Sequence, residues 1–193
     1  VDRLGPLGGD PSRDKPIIDC LGGAPANVAC GLARLGVKVA FIGCLGQDEI
    51  GNRFQALMAE RNIDLRGLQI DSQRPSRIVL VKRDFNGERS FQGFEGDGGF
   101  GFADEAINVL KLAEAWPEIA SEAKWLVIGS IPFAKQISSQ SLIWAIESAN
   151  QRGLKIALDL NWRPTFWDET ASPDSGPTSE VLQRISDLLE KVS

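Results

Sequence analysis

The chain has 193 residues, 42% of them hydrophobic, a formal net charge of -5 at pH 7 and no histidine. This length is enough for one sizeable hydrophobic core. The acidic balance, with no run of Lys or Arg interleaved with aromatic residues, argues against nucleic acid or an anionic membrane as partner. The lack of histidine excludes Ser-His-Asp triads, Cys-His pairs and the usual zinc enzymes, so any acid–base chemistry falls to Asp, Glu, Lys or Cys.

The N-terminal residues and the cysteines indicate a cytoplasmic protein. No segment approaches about 18 uninterrupted apolar residues, and residues 1–10 lack the basic-then-apolar layout of a signal peptide. Cys20, Cys30 and Cys44 are odd in number and form no C-x-x-C motif. This usage predicts free structural thiols rather than disulfides or zinc ligands.

The first elements predicted along the chain alternate between helix and strand. Val28, Leu32 and Leu35 recur at helical spacing and predict the buried face of a helix from Asn27 to Leu35. The apolar run at 39–43 predicts a buried strand.

Asp48 then predicts the N-cap of a second amphipathic helix. The segments 77–83 and 88–94 alternate apolar and polar residues around Asn86-Gly87, which predicts a β-hairpin.

The second half of the chain returns to alternating helices and strands. The predicted elements are a helix at 103–115, a strand at 125–129, a helix capped by Ser138 or Ser139 and ending near Arg152, a strand at 155–161 and a helix at 178–191. Apolar strands that alternate with helices predict an α/β protein with a largely parallel sheet covered on both faces, and the hairpin lies outside that sheet. The outer edge of the strand at 155–161 would be left without a neighbour.

Two glycines, a proline and an asparagine stand directly before the first predicted helix. Gly22 and Gly23 let a ligand approach the backbone, and Pro25 sets φ for the first helical turn. Asn27 offers both a donor and an acceptor near a helix N-terminus. Such a site suits a polyol, although a strand-to-helix turn without a ligand would use the same residues.

The spacing of these residues resembles the first signature of the ribokinase/fructokinase (PfkB-type) carbohydrate kinases. The matching positions are GGAPANVA at 22–29, Gly36 and Gly46. The resemblance implies a ribokinase-like three-layer α/β/α core with a small β lid, which the hairpin at 77–94 would form. The chain would then be a single, incomplete domain over 1–193, truncated on its C-terminal side.

The resemblance also implies which residues bind the sugar: Asp2, Gly22, Gly23, Asn27 and Ser130. Asp2 would be the aspartate that binds sugar hydroxyls, and a solvated carboxylate is the alternative. Ser130 ends a predicted strand that in the family lies next to the sugar, and a structural serine is the alternative.

A second segment, LDLNWRPTFW at 158–167, resembles the family's D-x-N-x-R followed by an aromatic residue. The resemblance places Asn161 and Arg163 near the substrate and the transferring phosphate. An arginine fork suits phosphate oxygens, and an ordinary surface ion pair is the alternative for Arg163. Asp159 is interpreted as a structural strand-end group rather than a base.

The glycines of 96–101 match the dinucleotide pattern G-x-G-x-x-G, but their context does not. The preceding predicted strand belongs to the hairpin, and Glu122 lies before the next strand instead of at its end. A lid-return loop is the better interpretation, with Glu95 or Asp97 in contact with the substrate. No G-x-x-x-x-G-K-[ST] loop occurs, which excludes a P-loop kinase.

The resemblance implies an enzyme that transfers the γ-phosphoryl group of ATP to a sugar hydroxyl, with Mg²⁺ and a monovalent cation as further cofactors. GGAPANVA resembles the form of the motif found in fructokinases, so the resemblance favours fructose phosphorylated at O6, and ribose, 2-keto-3-deoxygluconate and nucleosides remain open. A homodimer through the lid is implied in the same way. No metal ligand is assigned to the chain itself.

The family's catalytic aspartate lies in a G-A-G-D signature that this sequence does not contain. No catalytic residue is therefore assigned, and residues 1–193 alone are expected to be inactive as a kinase. A noncatalytic sugar-binding or sugar-sensing relative is the alternative function.

Overall fold

The computed structural model describes residues 1–172 and 174–192, and the chain divides into two compact units, 1–104 and 105–193. A compact unit can be a domain or part of one. The single-domain interpretation therefore stays a prediction.

The first unit contains six strands and two helices among its described residues. In chain order these are β1 (Asp2–Leu7), β2 (Ile18–Cys20), α1 (Ala24–Arg34), β3 (Gly43–Gly46), α2 (Glu49–Glu60), β4 (Leu68–Asp71), β5 (Ile78–Arg83) and β6 (Arg89–Glu95). Four of the strands form a sheet in the order β2-β1-β5-β6, called the lid sheet below, and the other two form the parallel pair β3-β4.

The predicted hairpin is confirmed as the antiparallel pair β5-β6. Its turn closes with a hydrogen bond from the Gly87 N–H to the Asp84 carbonyl, and Gly87 has a φ of 86°, which favours glycine. The hairpin is half of the lid sheet, because β1 runs parallel to β5 and β2 runs antiparallel to β1. The segment that follows Asp2 therefore belongs to the lid sheet.

The strand predicted at 39–43 was placed too early in the sequence. Its observed counterpart is β3, which pairs in parallel with β4 from Gly43 opposite Leu68 to Gly46 opposite Asp71. Ala40 makes only an isolated bridge to Asp64. The position of the partner strand decides where the ladder forms, and the apolar run by itself did not reveal that partner.

The buried face of α1 also differs from the predicted one. Val28 and Leu35 are 44% and 81% exposed, whereas Ala26 and Ala29 are buried. The two alanines belong to a cluster whose other buried members are Val1, Phe54, Met58 and Ile63. Small side chains on one helix leave room for large ones opposite, so helical spacing of large residues identified the wrong face.

The N-cap predicted for α2 is confirmed. The Asp48 carboxylate accepts a hydrogen bond of 2.7 Å from the Gly51 N–H, which satisfies one of the free donors at the helix start. Phe54 and Met58, one turn apart, are 5% and 1% exposed and anchor the helix to the core.

The second unit contains four helices and two strands among its described residues. They are α3 (Val109–Ile119), β7 (Trp125–Gly129), α4 (Gln136–Gln151), β8 (Lys155–Asp159), α5 (Pro164–Trp167) and α6 (Ser179–Val192). Strands β7 and β8 pair in parallel. Both predicted strands and the final helix are confirmed, to within two residues at each end.

Two predicted helix starts in this unit were wrong. Helix α3 begins after Asn108, whose side chain accepts hydrogen bonds from the Leu110 and Lys111 N–H groups, while 103–105 is a separate 3₁₀ turn. Helix α4 begins before Ser138, and the Ser138 hydroxyl donates to the Pro132 carbonyl at 2.6 Å instead of capping.

Helix α4 packs against α3, α6 and β8. Trp116 of α3 meets Trp144 of α4 edge-to-face at 5.5 Å. On β7, Trp125 and Val127 point outward and are 56% and 47% exposed. Within the described ranges β8 pairs with β7 alone.

The cysteines are free thiols, as predicted, with Cys20 exposed and Cys44 buried. Across 1–172 and 174–192, no helix has both the length and the apolar character needed to cross a membrane.

Candidate functional site

The glycine turn between β2 and α1 has a backbone that only glycine adopts readily. Gly23 is the N-cap of α1 with φ 114° and ψ 138°, and its carbonyl accepts the Asn27 N–H at 2.9 Å. A Cβ built on Gly22 would lie 3.7 Å from Asn27 Oδ1 and 3.9 Å from Nδ2. The first turn of α1 thus holds the exposed Asn27 amide beside the backbone of Gly22.

Asp2 lies close to this turn because of the pairing between β1 and β2. Asp2 stands opposite Cys20, which precedes Gly22 by two residues. Within the described part of the chain, the side chains of Asp2 and Asn27 make no hydrogen bond. The strand pairing therefore places Asp2 beside the segment that enters the glycine turn, where the Asn27 amide also lies, and the Asp2 and Asn27 side chains keep unused hydrogen-bonding capacity. Their joint role in binding a sugar stays a prediction.

Ser130 lies in the second unit and is fully buried. Its hydroxyl donates to the Leu160 carbonyl at 2.8 Å, and its N–H donates to the Asp159 carbonyl at 3.0 Å. These bonds join the ends of β7 and β8. Because the hydroxyl has one proton, it could only accept a further hydrogen bond from a ligand.

Asn161 and Arg163 follow the end of β8. The Asp159 carboxylate accepts the Asn161 N–H at 3.0 Å, which agrees with its interpretation as a structural strand-end group. Arg163 is exposed, and its Nη1 donates to the Trp162 carbonyl at 2.8 Å. Among the described residues Arg163 has no carboxylate partner, so the ion-pair alternative is not observed and most guanidinium donors remain unused.

The aromatic residue of this segment has a structural role. The Trp167 ring meets Phe133 edge-to-face at 6.4 Å, and the Arg184 guanidinium stacks on both rings at 5.1–5.2 Å. Cation–π stacking of this kind stabilises by about 0.5–2 kcal/mol. The cluster anchors one end of the segment that carries 161–163.

An ionic cluster at the lid sheet is absent from the sequence-based assignments. Arg3 donates two hydrogen bonds to the Asp19 carboxylate, at 2.8 and 2.9 Å, and a third to Glu95 at 2.9 Å. The hydrogen bonds from Arg3 to Asp19 lower the pKa of the Asp19 carboxyl below its usual value. The partners lie 16 and 92 residues from Arg3, and the sheet register that joins them cannot be derived from local patterns.

The glycine-rich loop at 96–101 follows an antiparallel strand, so the dinucleotide-binding interpretation is excluded, as the sequence indicated. Asp97 is occupied within the loop, since its carboxylate accepts the N–H groups of Gly99 and Gly101 at 2.8 and 2.9 Å. Contact of Glu95 or Asp97 with a substrate stays a prediction.

The first unit also contains an open hollow of about 240 Å³. Its lining includes Arg3, Asp19, Asp48, Arg53, Ser76 and Gly96. None of the predicted sugar-binding residues lines it. No group of three or more Cys, Asp or Glu side chains within 1–172 and 174–192 is placed to hold a metal ion.

The chain is similar to sugar kinases in sequence and in structure. The family model described as pfkB family carbohydrate kinase matches residues 17–191. A fructokinase of Salmonella typhimurium is 30% identical over 161 residues, which are 83% of this chain and 50% of the relative.

Two solved structures extend the comparison. An uncharacterized sugar kinase from Pyrococcus horikoshii, in complex with ATP, has a TM-score of 0.78 at 26% identity, and the match covers all of this chain and 57% of that one. The fructokinase of Vibrio cholerae O395, in its fructose, ADP and calcium ion bound form, has a TM-score of 0.75 at 29% identity, covering 99% and 55%.

The chain spans about half the length of the curated relatives it matches. Over that span, the similarity to solved sugar kinases confirms the predicted α/β, ribokinase-like fold. The match of the family model to nearly the whole chain shows that this protein belongs to the pfkB family of carbohydrate kinases.

Proposed function

We propose that this chain supplies the sugar-binding residues of an ATP-dependent kinase that phosphorylates fructose at O6. The observation that carries the proposal is the pair of unused polar side chains, Asp2 and Asn27, beside the turn at Gly22 and Gly23. Support for fructose comes from the relatives, several of which are named fructokinases. A cytoplasmic location and a homodimer through the lid sheet remain predictions.

The chemistry of this set suits a polyol. A carboxylate accepts hydrogen bonds from two hydroxyl groups, and the Asn27 amide both donates and accepts. The glycine backbone adds no side chain between the ligand and the helix N-terminus, so a sugar ring can lie against it.

The second set, Asn161 and Arg163, is proposed to bind the phosphate side of the reaction. Bound ATP supplies the γ-phosphoryl group. The sugar oxygen forms a bond to the γ-phosphorus while the bond to ADP breaks, and the hydroxyl proton passes to a base. The arginine fork of this chain would hold phosphate oxygens and offset their charge.

No residue of this chain is assigned as that base, since the G-A-G-D signature does not occur in it. Mg²⁺ is held mainly by substrate phosphates, waters and one or two carboxylates, and no ligand for it or for a monovalent cation is assigned here. We propose that residues 1–193 alone do not phosphorylate a sugar.

The proposal is tested by ADP release from the full-length protein with fructose, ribose, 2-keto-3-deoxygluconate and a nucleoside. Asn27→Ala should raise the sugar KM about tenfold, because a lost hydrogen bond of a bound ligand costs about 1–2 kcal/mol, and should leave the ATP KM unchanged. Asn52→Ala, at an exposed position of α2, is the matched control.

A larger effect of Asn27→Ala on ATP than on sugar would contradict the assigned roles. Sugar binding by calorimetry without ADP release would favour the noncatalytic, sugar-sensing alternative. If the full-length protein neither binds any of the four compounds nor releases ADP with them, the proposed function is overturned. Fructose-dependent ADP release by residues 1–193 alone would overturn the proposal that this fragment is inactive.

A further inference from the structure

Arg3 connects three segments of the lid sheet through its side chain. Its guanidinium donates two parallel hydrogen bonds to the Asp19 carboxylate of β2 and a third to the Glu95 carboxylate at the end of β6. The Arg3 and Asp19 side chains are each 19% exposed. A partly buried, bidentate arginine pair restrains geometry more strongly than a surface ion pair does.

Each of these segments leads directly into a predicted sugar-binding feature. Arg3 follows Asp2 in β1. Asp19 lies in β2, which ends at Cys20 just before Gly22 and Gly23. Glu95 is the last residue of β6, and the glycine loop at 96–101 begins after it.

Arg3 does not itself face the ligand that Asp2 would bind. Successive side chains of a strand point to opposite faces of the sheet, so Arg3 and Asp2 lie on opposite faces of the lid sheet. The face of Arg3 borders the open hollow, which none of the predicted sugar-binding residues lines.

We propose that Arg3 is a positioning residue for sugar binding, which holds β1, β2 and the end of β6 together through Asp19 and Glu95. The inference rests on the proposed function, because it assigns Arg3 to the same sugar site. The restraint fixes where Asp2 stands relative to the glycine turn and where the glycine loop starts.

Removal of the guanidinium would leave negative charges facing one another. Asp19 and Glu95 would lose their shared cation, and Asp48 and Glu49 line the same hollow. Arg53 remains nearby, but its Nη2 donates to the Asp19 backbone carbonyl at 3.3 Å and not to the carboxylate. The charge of Arg53 also lowers the pKa of Asp19 and would remain, but without Arg3 it would offset the carboxylates only in part, and their repulsion would loosen β2 and the end of β6.

The test compares Arg3→Met, Arg3→Lys and the control Arg66→Met in the full-length protein. Arg66 is also held in a bidentate pair, with Asp64, but lies outside the lid sheet. Arg3→Met should raise the sugar KM about tenfold and change the ATP KM and kcat less than twofold, because positioning of Asp2 affects sugar binding alone. Arg3→Lys should recover part of the loss, and Arg66→Met should resemble the wild type.

Hydrogen exchange measured by mass spectrometry gives a readout that does not depend on activity. Arg3→Met should accelerate exchange in 2–7, 18–23 and 89–101 relative to the rest of 1–104, and Arg66→Met should not. An unchanged sugar KM in an active Arg3→Met protein would overturn the inference and leave the proposed function intact. Faster exchange throughout the unit, or no change, would also overturn it. A wild type that neither binds nor phosphorylates a sugar would refute the proposed function instead.

Discussion

Replacement of Asp48 by alanine should destabilise the protein well beyond the loss of a helix cap. The carboxylate accepts the Gly51 N–H at 2.7 Å, the Ser76 N–H at 2.7 Å and the Ser76 hydroxyl at 2.9 Å. The same hydroxyl accepts the Gly46 N–H at 3.0 Å, and Ser76 is 4% exposed. One side chain thus joins the start of α2 to the segment that enters β5.

The size of the effect follows from these bonds. Loss of an N-cap costs about 1 kcal/mol. A buried N–H left without an acceptor costs about 1–3 kcal/mol. Asp48 and Ser76 border the open hollow, where water can replace part of the lost bonding, so the total should be about 2–4 kcal/mol. Because 1 kcal/mol corresponds to about 2–4 °C in a domain of roughly 150–250 residues, Tm should fall by about 4–16 °C.

The assay is urea denaturation followed by circular dichroism, with Asn108→Ala as the control. Asn108 caps α3 and its loss should cost only about 1 kcal/mol. Asp48→Asn keeps an acceptor oxygen and should fall between the two. Equal losses for Asp48→Ala and Asn108→Ala would refute the reasoning, since the bonds to Ser76 would then contribute nothing.

Two further predictions concern the glycine turn and the ionic cluster. Gly23→Ala should lower the free energy of unfolding by about 1–3 kcal/mol, because Gly23 has a φ of 114°. Gly22→Ala should change it by less than about 0.5 kcal/mol, because a Cβ there meets Asn27 at ordinary contact distance. Equal losses of the two variants in urea denaturation would contradict this prediction. Because the pKa of Asp19 is lowered in the folded protein, the stability contributed by its carboxylate is present above its unfolded pKa of about 4 and is lost as the pH falls through the lowered value. Wild-type stability should therefore decline below about pH 5 more steeply than that of Asp19→Asn. Parallel pH profiles would show that the Asp19 carboxylate does not contribute to stability in this way.

The elements that the sequence predicted well are those whose signals are local. The hairpin has an Asn-Gly turn between alternating segments, and α2 has an aspartate at its start. The run at 125–129 is apolar throughout, and it forms β7 at the predicted residues. In each case the turn, the cap or the apolar run acts within a few residues of the element that it specifies.

The elements that it misplaced depend on distant partners. Strand β3 lies where β4 can pair with it, and no local pattern contains that information. The buried face of α1 consists of alanines because the residues opposite are large, and a search for large apolar residues selected Val28 and Leu35 instead. Packing against the rest of the chain decided both outcomes.

The candidate site also contains one part that local sequence signals predicted and one part that depends on distant partners. The glycine motif is contiguous, and the structure shows its backbone conformation and the Asn27 amide beside it. The Arg3 cluster joins residues from three strands and could not be derived from spacing.

The predicted sugar-binding side chains and the Arg3 cluster differ in their hydrogen bonding. Asp2 is half-buried and Asn27 is exposed, and neither makes a side-chain hydrogen bond within the described ranges. Arg3 and Asp19, the neighbours of Asp2 and Cys20 in the same strands, bond to each other through both carboxylate oxygens. A side chain that is already fully bonded contributes rigidity, and one that is held in place without partners can exchange water for a ligand at little cost. The two neighbouring positions of β1 therefore differ in kind, because Arg3 is fully bonded on one face of the sheet while Asp2, on the other face, keeps the hydrogen-bonding capacity that a ligand could use.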